Sequence, residues 1–123
     1  MKMNSESSSK ISNKIAQLNA IRKNAKHGEF FFAKYSAIGQ SNREAPVFIV
    51  GDEDEEDVVI CSCTKTPPRN SYDVQVQLKM STSVRTNKLY TINREQLLFK
   101  IPQVPSPEEY KDIMQQLSKF LHM

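Results

Sequence analysis

The spacing of apolar positions changes along the chain, and each change marks a predicted element. Residues 1–9 are polar and Ser-rich, offer nothing to bury and read as a mobile tail. From Lys10 to about Lys26, Ile11, Ile15, Leu18 and Ile21 or Arg22 recur at helical spacing. Ser9 suits the cap of this helix, Arg22, Lys23 and Lys26 its C-terminal turn, and Gly28 its stop. The apolar stripe is thin, so this basic amphipathic helix is expected to dock on a neighbouring surface, its own domain or a dimer mate, rather than to found a core.

The period then shortens. Glu29 to Tyr35 is aromatic-rich and reads as a first strand, and Ser36 to Ala45 as a polar loop. Pro46 to Val50 is a short continuous apolar run suited to a buried strand, followed by Gly51 and six acidic residues that suit a hairpin tip. Val58 to Cys63 reads as a third strand, and Tyr72 to Leu78 alternates with period two, placing Val74, Val76 and Leu78 inward. Val84 and Leu89 to Ile92 suggest two further short segments, then a one-turn helix at Asn93 that carries Leu97 and Leu98 inward. Ser106-Pro-Glu-Glu is a helix start, with Tyr110, Ile113, Met114, Leu117 and Leu121 on the apolar face that follows. Short strands separated by turn signals and closed by a helix predict a mainly β fold, a small β-barrel with a C-terminal helix. The predicted division is a tail and N-terminal helical extension over 1–27 and a barrel domain over 28–123.

Composition narrows the function classes. At 123 residues, 38% hydrophobic and 25% charged, the chain suits one globular domain. No apolar run approaches the roughly 20 residues of a membrane span, and the N-terminus lacks a secretory signal, so no membrane partner and a cytoplasmic location are expected. The two cysteines sit in Cys61-Ser62-Cys63, too close for an ordinary disulfide and without a second pair for zinc. The net charge of +3 hides strong segregation. Residues 1–26 carry six basic and one acidic side chain, 27–57 two basic and eight acidic, and 58–100 seven basic and two acidic. Such segregation suits a polyanion or charged protein partners.

Familiar catalytic signatures are missing: there is no phosphate-binding Gly-rich loop and no nucleophile elbow, and His27 and His122 read as surface residues at opposite ends of the folded region. The acidic run lacks the ligand alternation of a cation loop, so neither metal nor cofactor is expected. What remains is a set of basic and hydroxyl side chains at strand ends: Arg43, Thr64, Lys65, Arg69, Arg85 and Lys88. Arginine offers a fork of donors and threonine a hydroxyl, both suited to phosphate oxygens. Such a set can bind RNA, or cut it without a metal by aligning a 2′-OH with the adjacent phosphorus.

The chain from Gly28 to about Leu121 resembles the MazF/PemK toxin family. The resemblance rests on Gly28-Glu-Phe-Phe-Phe-Ala-Lys-Tyr35, Pro46-Val-Phe-Ile-Val50, the strand from Val58 ending in Thr64, Ser71 to Leu78, Val84 to Ile101 and the closing helix. It implies an SH3-like barrel, usually a homodimer, acting as a metal-independent endoribonuclease on single-stranded RNA. The products would carry 2′,3′-cyclic phosphate and 5′-OH ends, and a cognate antitoxin would hold the enzyme in check. Thr64 matches the family's catalytic Thr or Ser, and Arg85 the Arg before its Lys-Leu-x-Thr-Ile segment, in RNA binding or structure. Lys65, Arg69 and Lys88 fall on the expected substrate side. The family's catalytic Arg directly before the second-strand Pro is here Ala45, and Arg43, two residues earlier, shares its strand face. The alternative is a catalytically weakened or inactive member, an RNA- or protein-binding regulatory module from a phage or other mobile element.

Overall fold

The computed structural model describes residues 5–36 and 41–123. The element order is α1 (Ser5–Lys23), β1 (Phe30–Ser36), β2 (Asn42–Gly51), β3 (Asp57–Thr64), β4 (Asp73–Gln77), β5 (Ser81–Asn93), a 3-10 turn (Arg94–Gln96), β6 (Leu97–Ile101) and α2 (Pro107–Phe120). The strands form one antiparallel sheet in the order β4-β5-β3-β2-β1-β6. Its edges curl toward each other: Leu78 and Met80 beside β4 line the same groove as Phe99 and Ile101 of β6. This is the mainly β, helix-terminated architecture that the apolar pattern predicts.

Period-two alternation in the strands supplies two apolar clusters, one on each sheet face. Phe31, Ala33, Tyr35, Val47, Ile49, Val58, Ile60, Ile92 and Leu97 form one, joined by Ala25. Phe30, Phe48, Cys61, Cys63, Val76, Leu78 and Val84 form the other, which α2 covers with Ile113 and Leu117. Ser106 caps α2 by accepting from Glu109 N–H, and the Glu109 side chain accepts from Ser106 N–H in return. The other Glu109 oxygen accepts from Gln77 N–H at 2.9 Å, tying the helix start to β4.

Several local expectations are corrected. Residues 42–45 pair with β1 instead of looping, since Ser36↔Asn42, Tyr35↔Arg43 and Ala33↔Ala45 continue the β1–β2 ladder. Residues 37–40 of the expected loop lie outside the described residues, as does the start of the expected tail, while the helix already runs from Ser5 and so contains Ser9. Val84 and Leu89 to Ile92 belong to one 13-residue strand, β5, which stays continuous because a bulge absorbs residues 86–88 between the pairs Ser62↔Arg85 and Cys61↔Leu89. Leu97 is buried, as expected, and opens β6, while Leu98 is half-buried.

The N-terminal helix does not lay its apolar stripe on its own domain, although Leu18 is half-buried. Ile11, Ile15 and Ile21 are exposed. The helix attaches by its C-terminal end, where Arg22 Nε donates to Leu97 O at 2.7 Å and Ala25 is buried. It stops at Lys23, and Gly28, at φ +91°, redirects the chain into β1 from a conformation that other residues resist.

His27 is also corrected: it is half-buried and linked to β2, to α2 and to the loop after β2. Its backbone N–H donates to Asp52 Oδ2, its Nδ1 donates to Val50 O at 3.0 Å, and its Nε2 lies 2.6 Å from the Tyr110 hydroxyl of α2. His122 is exposed, as read from the sequence. At the acidic hairpin tip, backbone N–H groups of Asp57 and Glu56 donate to Asp54 and hold its carboxyl below the usual range.

Both cysteines are free and buried. Burial pushes the Cys61 thiol up to about 12 and Cys63 well above its ordinary value. Native protein at pH 8 is therefore expected to leave both thiols unlabelled by a thiol reagent over minutes, with labelling complete in denaturant. Rapid native labelling of either thiol would contradict this burial.

Candidate functional site

One stretch of the sheet departs from apolar packing, and strand register explains how it is assembled. Asp73, Arg85 and Ser62 stand directly opposite one another across β4, β5 and β3. The row two residues along is Gln75, Ser83 and Thr64. Because the pleat repeats every two residues, both rows share one face. Tyr35 joins them through its hydroxyl, 2.8 Å from Ser62 Oγ, and Arg43 stands opposite Tyr35 on β2.

Arg43 lies against this face. Its Nη2 donates to Cys63 O at 3.2 Å, and its guanidinium carbon sits 5.6 Å from the centre of the Tyr35 ring. The carbonyl it contacts belongs to the peptide that leads into Thr64. The Thr64 hydroxyl is 3.1 Å from Thr66 Oγ1 and accepts from Thr66 N–H at 3.3 Å, which fixes the turn at the end of β3. Ser83 Oγ donates to Thr66 O at 2.8 Å and braces that turn from the opposing strand. Burial pushes the Tyr35 phenol above its ordinary range, against the Ser62 hydrogen bond and the Arg43 charge, so it stays a neutral hydroxyl at neutral pH.

The other named side chains divide. Arg85 is on the same face, largely covered, with Nε 4.0 Å from Asp73 Oδ1. Arg69, in the loop after β3, approaches the other oxygen of Asp73 with its Nε at 3.7 Å and donates to it through its backbone N–H at 3.1 Å. Arg43, Thr64, Arg69 and Arg85 are thus brought to one side of the sheet. Lys65 is not: strand alternation turns it to the opposite side, into the groove with Phe32, Pro46, Leu78, Met80 and Phe99. Lys88 is exposed in the β5 bulge.

Ala45 stands at the position before Pro46. It is buried opposite the fully buried Ala33. Arg43 is one pleat repeat further out, where its stem passes Tyr35 before its head reaches the Cys63 carbonyl. Sequence reading missed Tyr35, Ser62, Asp73 and Ser83 as members of this face. They lie on four different strands, β1, β3, β4 and β5, and their alignment with Thr64 depends on register, which single strands do not reveal.

Among the described residues, no cluster of three or more His, Cys, Asp or Glu side chains is arranged to hold a metal ion. No helix among them is long and apolar enough to cross a membrane.

A bent antiparallel sheet capped by a terminal helix, with guanidinium and hydroxyl groups gathered on one face, defines a small β fold suited to an anionic ligand. More particularly, it is the fold of the MazF toxins. MazF from Deinococcus radiodurans matches at a TM-score of 0.69 and 12% identity, over 80% of this chain and 97% of that one. An endoribonuclease from a mycobacterial species, solved with its cognate antitoxin, matches at 0.66 and 17% identity, over 80% and 96%. The Deinococcus radiodurans MazE–MazF complex matches at 0.67 and 11% identity, over 80% and 97%. No protein-family model matches the chain, and no curated protein matches it by sequence.

Proposed function

We propose that this protein is a MazF-type toxin, an endoribonuclease that cuts single-stranded RNA without a metal. The observation that carries the reading is the Arg43 contact with the Cys63 carbonyl, which sets a guanidinium beside the start of Thr64 although Ala45 occupies the expected arginine position. The Thr64 hydroxyl donates to a non-bridging oxygen of the scissile phosphate, and Arg43 neutralises the charge that builds on phosphorus as the 2′-oxygen attacks. The 2′-O–P bond forms, the P–O5′ bond breaks, and the 2′-OH proton leaves to solvent while the 5′-oxygen acquires one. The ends are a 2′,3′-cyclic phosphate and a 5′-OH. Arg69 and Arg85 hold the flanking backbone, and Lys88 adds charge on the approach, whereas Lys65, on the opposite side of the sheet, takes no part.

Residues 28–123 are the catalytic unit on this reading, and 1–27 an appendage joined at its C-terminal end. A homodimer, a cognate antitoxin and a cytoplasmic location belong to the same proposal; the antitoxin complexes among the similar structures support the antitoxin alone.

Purified protein incubated with a long single-stranded RNA in EDTA is expected to give discrete fragments with 2′,3′-cyclic phosphate ends. Intact RNA at high concentrations of folded protein would overturn the nuclease reading and leave the binding module.

A further inference from the structure

The proposed chemistry makes no use of the Asp73 carboxylate, although it lies on the same face. Its side chain is 1% exposed at the start of β4. Oδ2 accepts from Arg69 N–H, while Oδ1 points across the ladder toward Arg85. Among the described residues, neither Asp73 Oδ1 nor Arg85 Nε has a hydrogen-bond partner, and both atoms are buried. Burying a carboxylate between two guanidiniums, one of them just out of contact, is a poor way to gain stability, because an apolar replacement commonly does as well. What such a group does provide is position. Both arginines meet it through Nε, and that leaves the paired Nη groups of each fork for another acceptor.

The placement gives that acceptor an identity. Arg85 is two residues from Ser83, which stands opposite Thr64, so the Asp73 row lies about 7 Å from the Thr64 row along the strands. An extended nucleic-acid strand with one phosphate at Thr64 brings its neighbour to this row. Two guanidiniums and one carboxylate leave a net positive charge there, which a phosphate neutralises.

We propose that Asp73 is a positioning residue that sets Arg69 and Arg85 as a two-guanidinium clamp for the RNA phosphate next to the scissile one. The inference rests on the ribonuclease reading for its substrate. Asp73→Asn is nearly isosteric, keeps an acceptor for Arg69 N–H and removes the charge that orients both forks. Its kcat on single-stranded RNA is expected to fall about tenfold to a hundredfold, the scale of a small misplacement. Its Kd for an uncleavable single-stranded DNA of the same sequence should hold or tighten at low salt, because the face gains positive charge. Asp73→Glu should recover part of the kcat. An unchanged kcat in Asp73→Asn, or kcat and affinity falling by the same factor, overturns the proposal.

A second measurement needs neither cleavage nor a folded variant. In wild-type protein, the Nε–Hε resonances of Arg69 and Arg85 should shift together as that DNA is added. Wild type that leaves RNA intact but shows these joint shifts overturns the nuclease and keeps the clamp. Absent or unrelated shifts overturn the clamp, whatever the RNA does.

Discussion

On the proposed nuclease reading, Arg43→Ala and Thr64→Ala are each expected to lower RNA cleavage by about 10²–10³-fold, the usual loss when one preorganised donor to a developing oxyanion is removed. The thermal midpoint should barely move in either variant. Thr64 closes its strand and is half-buried, and among the described residues its hydroxyl contacts are with the neighbouring Thr66. Among the described residues, Arg43 contributes one side-chain hydrogen bond and one ring contact. Arg43→Lys is expected to recover little, because an ammonium is a point charge and cannot span two phosphate oxygens as a planar fork does. Single-turnover rates on a defined RNA, measured beside unfolding curves for the same samples, separate chemistry from folding. Activity persisting in both alanine variants would mean that the cut is made elsewhere, or by a contaminating nuclease.

Much of this arrangement was legible in the residue order. The alternation of Val74, Val76 and Leu78, the apolar run at Pro46 and the capping box at Ser106 each specify an element through forces acting within a few residues. The strand ends were less legible, for a physical reason. Asn42 to Ala45 is polar enough to read as a loop, but pairing with β1 satisfies its backbone, and that pairing is a long-range fact. β5 looked broken in two because its bulge interrupts the apolar alternation while the hydrogen-bonded ladder resumes beyond it.

The candidate site followed the same rule. Arg43, Thr64, Arg69 and Arg85 were visible as residue types at strand ends, and they gather on one side. Lys65 looked equivalent to them, yet it follows Thr64 directly, and successive strand residues point to opposite faces. Ser62, Ser83 and Asp73 gave no signal alone, because hydroxyls and a lone carboxylate acquire meaning through the strand opposite. His27 was misread for a related reason: its partners, Val50 and Tyr110, are remote in sequence.

Arg94→Ala is expected to cost about 3–5 kcal/mol of stability, near the upper end for a single substitution. Arg94 is 7% exposed, and its guanidinium donates to the carbonyls of Arg22, Lys23 and Ala25 on one side and of Asp52 and Asp54 on the other. One fork thus closes the C-terminal end of α1 and anchors the acidic hairpin tip. Removing it strands several carbonyls, each costly where water cannot replace the donor. For a chain of this length the loss corresponds to a fall in Tm of about 10–20 °C. Arg94→Lys should recover little, since three donors on one nitrogen cannot reach carbonyls spread around a planar fork. Ile11→Ala and Ile15→Ala are the matching controls: these side chains are exposed, and each change should stay within about 0.5 kcal/mol. Denaturant unfolding followed by circular dichroism measures all four variants. An Arg94→Ala protein that unfolds at the wild-type midpoint would show that helix and hairpin are held by other contacts. Hydrogen exchange then gives the local reading, because loss of the clasp should deprotect the end of α1 before it touches the strand ladders.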